Sequence, residues 1–489
     1  MLFNSLEFIA FFSIFLLLYW NLFSKNIEKR NIYILLSSYI FYGFWDWRFL
    51  VLICISTLVD YFAGLKIAEC KRSLSKKKWL FLSLFVNLGL LAVFKYYNFF
   101  IESWVNLLRT FGYESSPSTL YIILPVGISF YTFQSLSYTL DIYKGQLQPT
   151  RNIVTFAGFV SFFPQLVAGP IERASKLLPQ FATIKTYNPN GTSRGLELII
   201  WGLFKKVVIA DNVGKVVDYV FADINAFPAP IILLAIVFFS IQIYCDFSGY
   251  SDIAIGTARM MGFRLSRNFR LPYIAQSLSD FWRRWHISLS SWFRDYLYIV
   301  MGGNRGSAAK KYLNILVTFL ASGLWHGANF TFVIWGGVHG IFLVIEDYLN
   351  KFRINSESGI VRFFRLVRTY AIVTLLWGLF RIESHEDILP ALNKIFTFNY
   401  LDFVLNIASF GQGNNLLGVP WITSFHFLIL MLCSTFCAGL IEYNTISRTK
   451  LYQDFYECRF TRDVFRLGIL SITLILWGTE ASDFIYFQF

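Results

Sequence analysis

Residues 8–23 read FIAFFSIFLLLYWNLF, sixteen positions without a charge. A helix over such a run satisfies its own backbone groups and approaches the roughly 20 apolar residues needed to cross a bilayer. The same pattern continues outward. Apolar runs cover Asn31 to Trp45, Phe49 to Ala68, Trp79 to Phe94 and Leu120 to Tyr143, divided by short polar or basic stretches. Recurrence of this length throughout the chain predicts an all-α polytopic membrane protein.

Composition agrees. Hydrophobic residues make up 56% of the 489 residues, aromatics 19% and charged residues 15%. A soluble domain carries about 25% charged residues, so none of useful size is expected here. The net charge of +13 would suit nucleic acid if it formed one basic face. It falls instead between apolar runs, as in loops kept on the cytoplasmic side, and a nucleic-acid partner is not expected. The bilayer is the expected partner. The six cysteines form no CxxC pair and no metal-ligand spacing with histidine, so buried free thiols and no metal site are expected. Asn4 and Glu7 precede the first run, with no basic leader and no small-residue cleavage site. Residues 1–23 are therefore read as a retained first span.

The basic residues orient the spans. Lys25, Lys29 and Arg30, then Lys66, Lys71, Arg72 and Lys76 to Lys78, place two loops inside. The N-terminus then lies outside. The segment Glu114 to Thr119 has no Lys or Arg and is expected outside. Towards the end, Arg362, Arg365 and Arg368 mark an inner boundary, Glu383 to Pro420 an outer segment, and Arg448, Lys450, Arg459 and Arg462 another inner loop. Dividing the apolar sequence into ~20-residue spans gives roughly ten to thirteen membrane helices.

The middle departs from simple spans. Asn152 to Ile171 holds Pro164, Gly169 and Pro170, which predicts a broken or re-entrant element. Gly195 to Ala210 carries Lys205 and Lys206 near its centre and is expected in the cytoplasmic interface. Phe239 to Met261 holds Asp246 and Asp252. Six residues turn a helix by ~240° net, so the two share no face, and Gly249 is expected to break the helix between them. The bland reading pairs these carboxylates with Arg259, Arg264 or Arg267; the functional reading makes Asp246 a substrate-site residue.

Histidine carries the strongest chemical signal. Ionisable groups at membrane depth are costly and mark function, and imidazole exchanges its proton near neutrality. The segment SGLWHGAN, 322–329, puts Trp325 and His326 at the end of an apolar run, followed by Gly327 and Asn329. A helical hairpin with His326 near its turn is expected. The run from Tyr312 is ~15 residues, or ~22 Å, which leaves the ring within the membrane thickness. A structural histidine bonded to a carbonyl is the alternative. The segment DFWRRWHISLSSWFRDYLY, 280–298, interleaves aromatic and basic residues around His286. On one straight helix, His286 and Arg294 are ~80° apart and share a face. Arg283 or Arg294 suits an anionic group; a basic interfacial helix is the alternative. His339, in WGGVHG, is read as packing with one hydrogen bond, and His385 and His426 lie outside the cluster.

These stretches together resemble the membrane-bound O-acyltransferase (MBOAT) family, in its bacterial branch of alginate O-acetyltransferases and teichoic acid D-alanyl transferases. The resemblance rests on 280–298, MGGNR at 301–305 and GLWHG at 323–327. It rests also on LPVGISF at 124–130, FPQLVAGPI at 163–171, YCDFSGYSD at 244–252 and FIYFQF at 484–489. It covers residues 1–489 as one transmembrane domain. The resemblance implies a ring of helices around a central tunnel, with His326 inside it and His286 as a second family histidine. It implies transfer of an acyl group, most simply acetyl, from a cytoplasmic thioester to a hydroxyl. The donor would be acetyl-CoA or an acyl carrier protein, used as co-substrate with no permanent cofactor. An extracytoplasmic acyltransferase or polysaccharide-modifying partner would complete the pathway at the bacterial inner membrane. His326 is then the expected base, His286 its support, and Arg294, Asn329, Trp325 and Asp246 the further substrate-site residues. D-alanyl transfer to teichoic acid and a proton-coupled transporter remain as alternatives.

Overall fold

The computed structural model describes residues 1–113, 119–120, 122–167, 169–350, 358–400, 434–444, 459–477 and 484–485. Among them the chain is helical, with no strand. Two compact units are formed, one by Met1–Ile199 with Tyr250–Arg267, the other by Ile200–Gly249 with Asn268–Ile485.

Among the described residues six stretches are long and apolar enough to cross a membrane: Leu6–Phe23, Ile27–Glu69, Ser73–Thr110, Ala229–Met260, Phe330–Leu349 and Gly359–Arg381. Their outward residues, such as Leu17, Phe62, Phe85, Ile341 and Phe364, are large, apolar and exposed. A soluble monomer avoids so much apolar surface; lipid is its natural cover. The span expected at 421–440 lies largely outside the described residues, and two physical reasons keep the count further below ten to thirteen. First, Ile27–Glu69 is two 20-residue helices, α2 (Ile27–Asp46) and α3 (Leu50–Glu69), divided by a 3₁₀ turn that the Asp46 carboxylate caps on Arg48 N at 2.9 Å. Second, helices enclosed by protein need not be apolar. The helix α6 (Ile128–Tyr143), of 16 residues, is short for a span and buries Ser129, Thr132, Gln134, Ser135, Ser137 and Thr139.

In the first unit, α1 (Leu6–Leu18) packs Phe8, Phe12 and Phe15 with Phe41 and Phe163 as a chain of stacked and edge-on rings. Such pairs add about 0.5–1.5 kcal/mol each beyond area. Residues 152–171 are broken as expected, into α7 (Ile153–Val160) and the single turn α8 (Phe163–Leu166). Phe156, Phe159, Phe162 and Phe163 are fully buried there, and Gln134 Nε2 satisfies the Phe159 carbonyl oxygen at 2.6 Å. Gly127, at φ +76°, admits this turn: a Cβ there would meet the Leu166 carbonyl oxygen at 2.6 Å. Arg30 is no solvated loop charge. It is buried, and its guanidinium donates to the Phe181 and Thr183 carbonyl oxygens, each at 2.5 Å. Those carbonyls close α9 (Ala174–Phe181), where a cation is electrostatically favoured.

The long helix Ala229–Met260 is continuous, which corrects the expected break at Gly249. That glycine serves close approach instead: a Cβ on it would lie 2.7 Å from the Gly202 carbonyl oxygen. Small residues drive helix packing where lipid removes the hydrophobic incentive. Lys205 and Lys206 lie on a π-helical stretch, Phe204–Ala210, and both are buried in ion pairs of the second unit. Among the cysteines, Cys245 is buried but Cys437 is exposed, against expectation.

Candidate active site

The second unit brings the two sequence-marked histidines together. The helices α15 (Ala308–His326) and α16 (Phe330–Leu349) form the expected hairpin, and His326 is the last residue of α15. Glycines set how closely the arms pack. A Cβ on Gly323 would run into the Phe332 carbonyl oxygen, and one on Gly336 into that of Phe319. Asn329 caps α16, its side chain accepting from Thr331 N at 3.0 Å, and its amide donates to the Glu383 carbonyl oxygen at 2.7 Å.

His326 is 3% exposed and ringed by aromatic edges. Its imidazole stands nearly perpendicular to Trp325 (5.1 Å between centroids), Trp335 (5.2 Å) and Phe380 (5.5 Å). His286 is completely buried. Its ring meets Phe247 edge-on at 4.6 Å and Trp325 at 5.9 Å. The two imidazole centroids are 6.5 Å apart.

The backbone at His286 is strained. Its φ of +41° lies in the left-handed region, one of two non-glycine residues there among the described residues. Such a conformation costs of order 1–3 kcal/mol and persists where its surroundings over-determine it. Here they do. Ile287 N donates to the Asn268 carbonyl oxygen at 2.9 Å, Ser288 Oγ to Asn268 Oδ1 at 2.6 Å, and Ser290 N to the His286 carbonyl oxygen at 2.9 Å. Burial pushes the His286 imidazole down to about 3, so it is neutral at neutral pH. A neutral imidazole donates from one ring nitrogen and accepts at the other.

The remaining expected site residues scatter. Trp325 is buried between the two histidine rings. Asp246 is an ion-pair residue: its carboxylate lies 2.8 Å from Lys206 Nζ and accepts Ile485 N at 2.7 Å. This replaces the expected partners Arg259, Arg264 and Arg267. Lys206 also meets Asp211 at 2.9 Å, and Lys205 meets Glu442 at 2.8 Å. Burial opposes the charge on Lys206, but Asp246 and Asp211 outweigh it and hold its ammonium above the ordinary lysine value. Arg294 is largely exposed and bound to Asp295 at 2.7 Å. The straight helix that would align it with His286 does not exist. His286 precedes α14 (Ile287–Phe293), and Arg294 opens a π-helical turn. Asn329 is committed to capping. His339 is buried against Trp335 and Trp282 at 4.8 and 5.1 Å, and no hydrogen bond to its ring is found among the described residues. His385 is exposed, and His426 lies outside the described residues. No cluster of three metal-ligating side chains occurs among the described residues.

Phe247, Trp335 and Phe380 were not singled out by sequence. Phe247 follows Asp246 directly, and Trp335 sits four residues before His339; their aromatic character at those places was the available signal.

Against known proteins, residues 34–363 match the membrane-bound O-acyltransferase family. The chain belongs to that family. It is 42% identical to the probable alginate O-acetylase AlgI of Pseudomonas aeruginosa, over 81% of this chain and 75% of that protein. It is 33% identical to the peptidoglycan O-acetyltransferase of Helicobacter pylori, over the whole of this chain and 98% of that one. It is 27% identical to the teichoic acid D-alanyltransferase of Bacillus subtilis, over 46% of this chain and 60% of that protein. The protein is thus a membrane-embedded acyltransferase.

Proposed function

We propose that the protein transfers an acetyl group from a cytoplasmic thioester to a hydroxyl of an exported polysaccharide, with His326 as the general base. The pairing of two buried imidazoles, one held in a strained backbone, carries this reading. A hydroxyl is a weak nucleophile. His326 accepts its proton as the oxygen attacks the thioester carbonyl carbon; the C–S bond breaks, and the thiolate leaves and takes up the proton. His286, neutral, donates to the carbonyl oxygen as negative charge develops there. The aromatic shell keeps water from the thioester. The reading includes a passage that opens this site to both sides of a bacterial inner membrane, residues 1–489 acting as one domain with the N-terminus outside. It includes acetyl-CoA or an acylated carrier as donor and an extracytoplasmic polysaccharide-modifying partner that presents the polymer hydroxyl to this site. The full-length match to a peptidoglycan O-acetyltransferase and the higher identity to an alginate O-acetylase favour acetyl and a saccharide hydroxyl over D-alanyl transfer.

The test uses the full chain in proteoliposomes with acetyl-CoA outside and an oligosaccharide inside, followed by mass spectrometry of the saccharide. Acetylation that requires His326 and His286 supports the reading. Proton flux without thioester cleavage would turn it towards a transporter.

A further inference from the structure

One carboxylate takes no part in acyl transfer and sits in the other unit. Asp60 lies at the centre of α3, ten residues from its start, or ~15 Å by helical rise. It is completely buried. Around it, α3, α4 (Ser73–Leu91) and α6 pack against one another. Each contributes buried oxygens: Ser56 from α3, Ser83 and Asn87 from α4, Ser135 and Thr139 from α6.

Hydrogen bonds surround the carboxyl group. Ser83 Oγ donates to Asp60 Oδ1 at 2.6 Å; the Asn87 amide donates to Oδ1 at 2.9 Å and to Oδ2 at 3.0 Å. That amide also donates to the Ser83 carbonyl oxygen at 2.9 Å, which only accepts and so fixes its orientation. Ser56 Oγ donates to Asn87 Oδ1 at 2.6 Å and lies 3.2 Å from Ser135 Oγ; Ser83 Oγ lies 3.0 Å from Thr139 Oγ1. Both carboxyl oxygens are therefore within hydrogen-bond reach of an amide or a hydroxyl. No Lys or Arg is within ion-pair reach of it among the described residues. On the same helices, Lys66 is spent on Glu69 at 2.8 Å near the end of α3, and Lys77 and Lys78 are exposed in the first turns of α4. An ionisable group without a basic partner at this depth is costly and marks a functional site.

We propose that Asp60, with Asn87 Oδ1 and the hydroxyls of Ser56, Ser83, Ser135 and Thr139, forms a binding site for one sodium ion. The donor set is all oxygen with a single negative charge, which matches a hard cation of charge +1 and leaves the site neutral. Divalent ions would leave it positive. The ion ties three helices together at mid-depth, where packing alone is weak. The site does not depend on the acyl-transfer reading.

The experiment is thermal unfolding of the purified full chain in nanodiscs, in NaCl or in choline chloride at equal ionic strength, with KCl as a third series. A ligand of the folded state raises the melting temperature by a constant increment per decade of concentration above its dissociation constant. The expected result is that rise in sodium, absent in choline, with Asp60→Asn melting identically in both salts. Should Asp60→Asn fail to fold, the Ser56→Ala/Ser135→Ala pair keeps the carboxylate and is expected to move the half-saturating sodium concentration at least tenfold. Identical melting of the unaltered protein in sodium and choline overturns the proposal and leaves a proton as the neutralising charge; so does a sodium response that survives both sets of substitutions.

Discussion

Replacing Lys206 by methionine removes the one cation shared by Asp246 and Asp211 while nearly preserving volume. The Lys206 and Asp246 side chains are 2% and 3% exposed, so water cannot substitute for the lost ammonium. Among the described residues Asp246 would retain the Ile485 N–H. Leaving a buried charge without its partner costs about 3–5 kcal/mol. That is a large part of the roughly 5–15 kcal/mol that a folded protein has in hand. Lys206→Met is therefore expected to lower the melting temperature sharply. The double change Lys206→Met/Asp246→Asn removes both charges and is expected to recover about 1–3 kcal/mol of the loss. The assay is thermal unfolding in detergent, followed by tryptophan fluorescence and size exclusion, for the two single variants and the double. If Lys206→Met melts like the parent, or the two losses simply add, the ion pair is not what holds Asp246 and the C-terminal Phe484–Ile485 in place.

The hairpin offers a second test: Gly336→Val drives side-chain atoms into the Phe319 carbonyl and is expected to abolish the folded, monodisperse fraction, whereas Gly359→Ala, with open space around it, is expected to leave it unchanged. At His286, asparagine tolerates φ +41°; His286→Asn is expected to keep a folded, monodisperse fraction, with a melting temperature lowered by the cavity its smaller side chain leaves, yet lose acyl transfer by ~10²-fold or more, which separates function from backbone support. Stability should depend on pH through the same residue. Its folded value of about 3 lies below the ordinary 6.5, so the unfolded chain binds more protons between those values. The contribution is fully present above pH 6.5 and is lost as pH falls towards 3, and His286→Gln should flatten that part of the melting profile.

Much of this was legible in sequence, for physical reasons that differ by residue. The hairpin was, because an apolar run, His326, Gly327 and the capping Asn329 follow in an order only a turn explains. The broken segment at 152–171 was, because proline has no N–H to give. The ion pairs of Lys205 and Lys206 were not legible, because Asp246 and Glu442 are distant in sequence and the nearby Asp211 gives no sign of burial. Gly249 was misread as a break because helix propensity does not register the carbonyl packed against it. The alignment of Arg294 with His286 failed because a straight helix was assumed across a left-handed residue. Asp60 passed unnoticed as a single acid within an apolar span; its meaning lies in the hydroxyls two other helices bring to it.

The central claim is that His326 removes the proton from the acceptor hydroxyl. It is tested most directly by single-turnover acetyl transfer with His326→Ala and His326→Gln, in variants whose melting and size-exclusion profiles match the parent. The account predicts a fall in the transfer step of about 10²–10⁴-fold with donor binding retained. Transfer at the parental rate by either folded variant would contradict it.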